Sequence, residues 1–451
     1  MPHIDDLAAD ALTSTALTLY NHQPLKPTFP FSPAESNSMK TLRYWFAIGL
    51  LGVATTLLAA SDDPYWPRFR GPQGDGHSSE RGFPVQWNAT NVIWKTKLKG
   101  EGQSSPIIWK DRIYLTSALD EGRQRLVIAV DRKTGEIVWE RVAWKGEPEP
   151  THRMNGWASA TCVTDGQHVY ASFGYAGLHC YTMDGKHVWS RNLGKFLSKN
   201  RRGTSSSLVV NDSLVFFNGD SESDPFLFGI DKLTGKTVWK TDRPKTEGYS
   251  TPLLIQVDDH VELVLNGHYY IAGYDPQTGK RLWWCKSFNG RGEPSPAYAD
   301  GVLFVVNGLP ADVYAVRPGG SGDVTKSHMV WHTPRRNGRD QPSPIVVGNY
   351  LFVSNMAGTM SCYDTKTGKE IWRERFSTAK LTASPVAAEG RVYFLNEKGE
   401  TFVFEPGPQM KIVAKNTIGA GADEIFRASP ALYQGQIFLR SNTVLYCIGK
   451  K

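Results

Sequence analysis

The sequence lacks the groupings from which most catalytic and metal-binding sites are built. In 451 residues there is no CxxC and no adjacent cysteine pair, and the five cysteines, Cys162, Cys180, Cys285, Cys362 and Cys447, are an odd number. A disulfide framework and a thiolate zinc site both need pairs, so single small buried residues inside strands are expected instead. The eleven histidines form no HExxH and no close metal-like pair. GxSxG is absent, and no Ser/His/Asp set can be placed by spacing, so hydrolase triads gain no support. No run of Lys or Arg and no nucleic-acid motif occurs, which argues against DNA or RNA partners.

Long apolar runs are also missing, with one exception. Met39-Lys40-Thr41-Leu42-Arg43 precedes an apolar stretch from Tyr44 to Leu58, followed by Ala59-Ala60-Ser61. A basic start, a short apolar segment and a small-residue exit are the features of a secretory signal. An uncleaved anchor is the other reading, since the run is just short of a comfortable span. In both, the positive residues before the run and Asp62 and Asp63 after it place the bulk of the chain outside, periplasmic or secreted. Residues 1–38 are read as an extension ahead of a start at Met39. No cysteine follows the apolar run to carry a lipid. The formal net charge is +7; three basic and four acidic residues fall before residue 62, leaving +8. That balance weakly favours an anionic partner.

What is abundant is Gly, aromatic residues and repetition. Ala129-Val130-Asp131-Arg132-Lys133-Thr134-Gly135-Glu136-Ile137-Val138-Trp139 recurs as Gly229-Ile230-Asp231…Thr234-Gly235…Trp239. It recurs again as Gly273-Tyr274-Asp275…Thr278-Gly279…Trp283 and as Cys362-Tyr363-Asp364…Thr367-Gly368…Trp372. A shorter copy ends at Trp189 and a stretched one runs from Ala315 to Trp331. Each part has a physical task. Asp-x-x-Thr-Gly closes a hairpin, with Asp bonding its own turn and Gly supplying positive φ. Trp opens the next strand and is large enough to reach a neighbouring sheet, while the small residue about ten positions earlier leaves it room.

Two more strands precede each motif, one beside a Ser-Pro pair and one rich in Val, Tyr, Leu and Phe. The copies are spaced as four-stranded propeller blades are. The seventh is degenerate, with Val413 in the place of Trp. The last copy stops after three strands at Val444 to Ile448, and Val92-Ile93-Trp94-Lys95 is a fourth strand lacking its first three. Joined, the two ends complete one blade, which makes eight and closes the ring; seven blades with a loose tail is the rival count. The expected fold is therefore all-β, an eight-bladed propeller over residues 92–451. Residues 62–91 are a Gly/Pro-rich strap packed on it by Trp66 and Phe69.

The Asp, Thr, Gly and Trp spacing resembles the tryptophan-docking repeat, A-x-D-x-x-T-G-x-x-x-W, of the pyrroloquinoline-quinone (PQQ)-type propeller family, over about residues 92–448. That resemblance implies two kinds of activity. One is a non-catalytic envelope scaffold similar to the outer-membrane assembly propeller. The other is a quinoprotein dehydrogenase of alcohols or sugars holding PQQ with calcium. Those enzymes carry a vicinal cysteine pair beside the cofactor, and this chain has none, so the binding reading leads and no cofactor is expected.

Counting back four residues from the Ser-Pro serine marks a ring at Glu101, Asn155, Arg202, Glu247, Arg291, Arg339, Lys380 and Ile425. Arg335, Arg336 and Arg427 extend its basic arc. Clustered guanidinium groups suit carboxylate, sulfate or phosphate, which they bind in a forked geometry. The expected ligand-binding residues are Arg202, Arg291, Arg335, Arg339, Lys380 and Arg427. The expected partner is an acidic small molecule, polysaccharide or protein segment bound by a monomer. A membrane is met only through an uncleaved N-terminal segment. Asn218, Asn266, Asn307, Asn355, Asn396 and Asn442 are read as turn residues. Asp220-Ser221-Glu222-Ser223-Asp224 is a weak candidate for Ca²⁺, and His152, Arg153 and His179 for proton transfer.

Overall fold

The computed structural model describes residues 65–450 apart from 153, 287–289, 309–311, 336–338 and 340–341. The proposed signal or anchor, the residues ahead of it, Arg153 and Arg336 lie outside the described residues. Among those described, no helix is long and apolar enough to cross a membrane.

Eight four-stranded antiparallel blades follow one another round a ring, and blades four and seven each gain a two-residue parallel strand at one edge. Blade one spans residues 107–145, blade two 163–191, blade three 209–242 and blade four 253–286. Blade five spans 297–333, blade six 345–375 and blade seven 386–416. Blade eight takes its three inner strands from residues 431–448 and its outer strand from Val92–Lys97. Val92 lies opposite Ile448 and Lys97 opposite Val444, so the two chain ends close the ring as expected. The strand order excludes the seven-bladed count. Closure removes the free sheet edges that an open array would expose.

The repeat motif holds neighbouring blades together. Asp131 Oδ1 accepts from the backbone N–H of Lys133 and Thr134, and the same turn forms at Asp231, Asp275 and Asp364. Onto each such hairpin docks the indole of the preceding blade. Trp94 Nε1 donates to Arg132 O at 2.9 Å, Trp189 to Lys232 O at 2.9 Å and Trp239 to Pro276 O at 3.0 Å. Gly135 is required twice over: its φ is +77°, and a Cβ there would sit 2.7 Å from the Trp94 ring. The small residue expected to make room lies directly across the sheet, as Ala129 opposite Trp139, Gly229 opposite Trp239 and Cys362 opposite Trp372.

Two blades depart from this pattern, each for a visible reason. Blade five has no Asp-x-x-Thr-Gly hairpin, so Trp283 has nothing to dock on. Its indole instead donates to Glu262 Oε2 of its own blade at 2.7 Å. The stretched segment folds back as a short fifth strand, with Gly322 beside Trp283, leaving that tryptophan fully buried. In blade seven the position opposite Val403 is Ala414, because Val413 falls in the bulge that follows; Ala414, not Val413, stands where Trp would be. Trp87 from the strap takes over. It stacks on Tyr393 with ring centroids 6.4 Å apart, as Trp139 packs on Tyr114 at 5.9 Å and Trp94 on Phe438 at 6.1 Å.

A second ring runs inside the first. Ser105 N–H donates to Thr161 Oγ1, Thr161 to Ser207 Oγ, Ser207 to Thr251 Oγ1 and Thr251 to Ser295 Oγ. Ser295 continues to Ser343, Ser343 to Ser384, Ser384 to Ser429, and Ser429 back to Ser105. All eight bonds measure 2.9–3.1 Å and link adjacent blades, so each blade entrance is satisfied by its neighbour's hydroxyl.

The strap crosses the axis. Trp66 exchanges two backbone bonds with Ile108 of blade one, and Pro67 O accepts from Thr164 N of blade two. Arg70 Nη2 donates to Pro344 O of blade six at 2.6 Å, and Gly76 O accepts from Ala387 N of blade seven. The Arg70 guanidinium is wholly buried with no ion pair among the described residues, and desolvation, opposed by the charge of Asp75, lowers its pKa to about 10. Phe69, between these anchors, lies in the channel together with all eight hydroxyl residues. The channel is thus a cup with a floor.

The five cysteines are free and buried. Cys162 sits one residue before its strand, a small departure from expectation; the other four are within strands.

Candidate functional site

The cup has a volume of about 400 Å³, in the range of small-molecule pockets. Its wall is made where each blade's inner strand enters the ring, because the loops ahead of the hydroxyl residues turn their side chains to the axis. Arg202, Arg291, Arg339 and Arg427 line it. They come together, but three of them are already engaged. Arg202 Nη1 donates to Glu247 Oε2 at 2.8 Å. Arg291 Nη1 is 3.2 Å from Glu293 Oε1, and its Nε is 3.5 Å from Glu247. Arg427 Nε donates to Glu397 Oε1 at 3.0 Å and its Nη1 to Met154 O at 3.4 Å. Mutually repelling cations are therefore not what the cup contains. The carboxylates fix three guanidinium groups in place and offset most of their charge. Arg339 differs: it is exposed and makes no ion pair among the described residues.

The other two expected ligand residues lie elsewhere. Lys380 is exposed on an adjoining groove and does not line the cup. Arg335 is buried between blades five and six, where its charge faces Tyr363; its backbone N–H donates to Asp312 Oδ1 at 2.8 Å. It stands four residues after Trp331, as Arg243 stands after Trp239, and such arginines serve the blade interface. Arg243 shows the role fully, forking onto Asp220 at 2.8 and 2.7 Å and reaching Tyr274 at 2.6 Å. Asp220 is thereby committed to an ion pair rather than to Ca²⁺.

The counting rule itself slipped in two blades. The belt uses Thr161 and Ser207, not Ser159 and Ser206, so the positions equivalent to Arg291 are Trp157 and Gly203. Asn155 and Arg202 reach the cup from one or two residues earlier. These blades have no Ser-Pro pair: Cys162 and Leu208 replace the proline. The usable signal was hydroxyl followed by a buried strand start. Asn218, Asn355 and Asn396 behave as turn formers, Asn355 Oδ1 accepting from Ala357 and Thr359 N–H, whereas Asn266 Nδ2 donates to Pro294 O and Val306 O and Asn442 Oδ1 accepts from Ile425 N–H.

Glu293 is nine-tenths buried in the cup wall, and desolvation raises its pKa against the pull of Arg291. His152 lines the cup, whereas His179 lies inside blade two. His179 Nε2 is 3.0 Å from Ala176 O and Nδ1 2.8 Å from Ser190 Oγ, and burial lowers its pKa to about 4 from 6.5. An unfolded chain takes up this proton as pH falls below about 6.5, while the folded chain resists until about 4. Stability contributed by neutral His179 is thus complete above pH 6.5 and lost as pH falls towards 4. A series of melting temperatures across that window should fall more steeply for the parent than for His179→Gln. Parallel curves would contradict the assignment.

A metal-bound quinone does not match these donors. All five cysteines are free and buried, no two are adjacent in sequence, and among the described residues no three His, Cys, Asp or Glu side chains converge as a metal would need.

Comparison with known proteins adds the following. A family model described as outer membrane protein assembly factor BamB matches residues 79–223, 123–316 and 311–408. No curated protein matches the sequence. Among solved structures, BamB from Moraxella catarrhalis is 14% identical with a TM-score of 0.57, covering 80% of this chain and 97% of its own. A europium-containing methanol dehydrogenase is 12% identical with a TM-score of 0.64, covering 86% of this chain and 99% of its own. The quinohemoprotein alcohol dehydrogenase from Comamonas testosteroni is 13% identical with a TM-score of 0.63, covering 86% and 81%. At such identities the likeness is one of fold.

Proposed function

The chain belongs to the outer membrane protein assembly factor BamB family of repeat propellers, and on that footing we propose that it is a non-catalytic, extracytoplasmic binding protein. Its ligand carries an anionic group into the axial cup. The observation behind this reading is the arrangement of the four arginines. Three are held by Glu247, Glu293 and Glu397; Arg339, whose charge also reaches Glu293, is the exposed one and makes no ion pair among the described residues. A guanidinium already oriented loses little freedom on binding, and a floored cup favours the end of a ligand over a segment threaded through.

Calorimetry with galacturonate and with neutral galactose tests the reading. Galacturonate should bind, more weakly as salt rises, and galactose should not. Arg339→Ala should weaken galacturonate binding about ten-fold with little change in melting temperature, because that exposed side chain makes no hydrogen bond or ion pair among the described residues. Changing Arg291 to Glu is a poor test, since it would set three carboxylates together and destabilise the wall. No binding by galacturonate, citrate or phosphate would overturn the reading. So would turnover of an alcohol by protein supplied with PQQ, calcium and an electron acceptor.

A further inference from the structure

The cup continues beyond its wall. Gln103, His152, Met154, Asn155 and Arg427 border both it and a groove of about 960 Å³ across blades eight, one and two. The groove offers a half-buried indole, Trp157, and is lined as well by Leu119, Ile425, Glu101, Asp120 and exposed Lys380. Gly122 packs against one part of the Trp157 ring, and Trp157 Nε1 donates to Glu149 O at 2.9 Å, so the ring is fixed.

The chemistry of the cup narrows what can enter. Its lining is hydroxyl, amide and charged groups almost throughout; Phe69 on the floor and Met154 are its non-polar side chains. A peptide end with apolar side chains would find only Phe69 and Met154 to cover them among the described residues. A ring of hydroxyls with a carboxylate matches closely set donors and acceptors, and a fixed indole suits the flat face of a sugar.

We infer that the site takes an acidic glycan end-on, with one uronic-acid residue in the cup and the next sugars lying along the groove over Trp157. The inference rests on the anion-binding reading of the cup and adds the class and extent of the ligand.

Calorimetry on the whole protein with galacturonate, its dimer and its trimer measures this. Affinity should rise at least ten-fold from monomer to trimer, and Lys380→Ala should reduce the ratio of trimer to monomer affinity about three-fold or more. Equal affinity for monomer and trimer would overturn the inference and leave the cup reading standing. Binding of citrate but of no uronate would overturn it as well. A hexaglutamate peptide that binds more tightly than the trimer would replace the glycan with an acidic protein segment. Failure of every anion would remove the reading of the cup along with the inference.

Discussion

A chain lacking residues 65–98 is expected to aggregate on expression rather than fold as a smaller propeller. The deletion removes the outer strand of blade eight, so Val444–Ile448 is left with an unpaired edge. It takes Trp94 from the hairpin of blade one, and Trp87 from the stack on Tyr393 that replaces the missing tryptophan of blade seven. It also removes Trp66 and Arg70, which tie blades one and six across the axis. The buried groups they met, Ile108 and Pro344 O among them, would then face an empty channel. Four adjacent blades, six to eight and one, thus lose contacts at once, while the belt bond from Ser429 to Ser105 must still hold that side closed. Size-exclusion chromatography and a circular-dichroism melt decide the matter. A soluble monomer melting in one cooperative step would mean that the strap and outer strand are accessories.

The ring was legible because its determinants are local and repeated. Asp, Thr, Gly and Trp act within one hairpin and on the next, so their spacing survives in the sequence wherever the hairpin does. Closure was legible for a related reason: three strands at one end and one at the other fit only as a blade. The site was harder. Charges could be counted, but pairing depends on which loop faces which, and Glu247 meets Arg202 and Arg291 from separate blades. The same limit hid the strap's second task. Nothing local in Trp87 tells that it will fill a gap left at Ala414, more than three hundred residues away. Arg335 misled because a buried interface arginine and a channel arginine look alike in sequence. Only its offset from Trp331, shared by Arg243 and Trp239, separates the two.

Trp283 should be the most costly of the repeat tryptophans to lose, although its motif is no different from the others. Trp139, Trp189 and Trp239 each keep one edge near solvent, and Trp372 is only half-buried, whereas Trp283 is fully enclosed. Deleting a large buried aromatic ordinarily costs about 3–5 kcal/mol. Trp283→Ala incurs that loss and a second one. The indole is the donor to Glu262 Oε2, and Glu262 is itself buried, with His260 at its other oxygen. A buried carboxylate stripped of a donor adds roughly 1–3 kcal/mol. Trp283→Phe separates the two contributions, since it keeps most of the volume and removes the donor. It should therefore be partly rescued by Glu262→Leu, which removes the orphaned acceptor as well. Trp372→Ala, by contrast, opens a site that water already reaches, and should cost well under the Trp283 value. Chemical denaturation of the four variants gives the ranking. If Trp283→Ala and Trp372→Ala lose the same stability, or Glu262→Leu deepens the defect of Trp283→Phe, the indole–carboxylate bond is not what holds blade four in the absence of a hairpin to dock on.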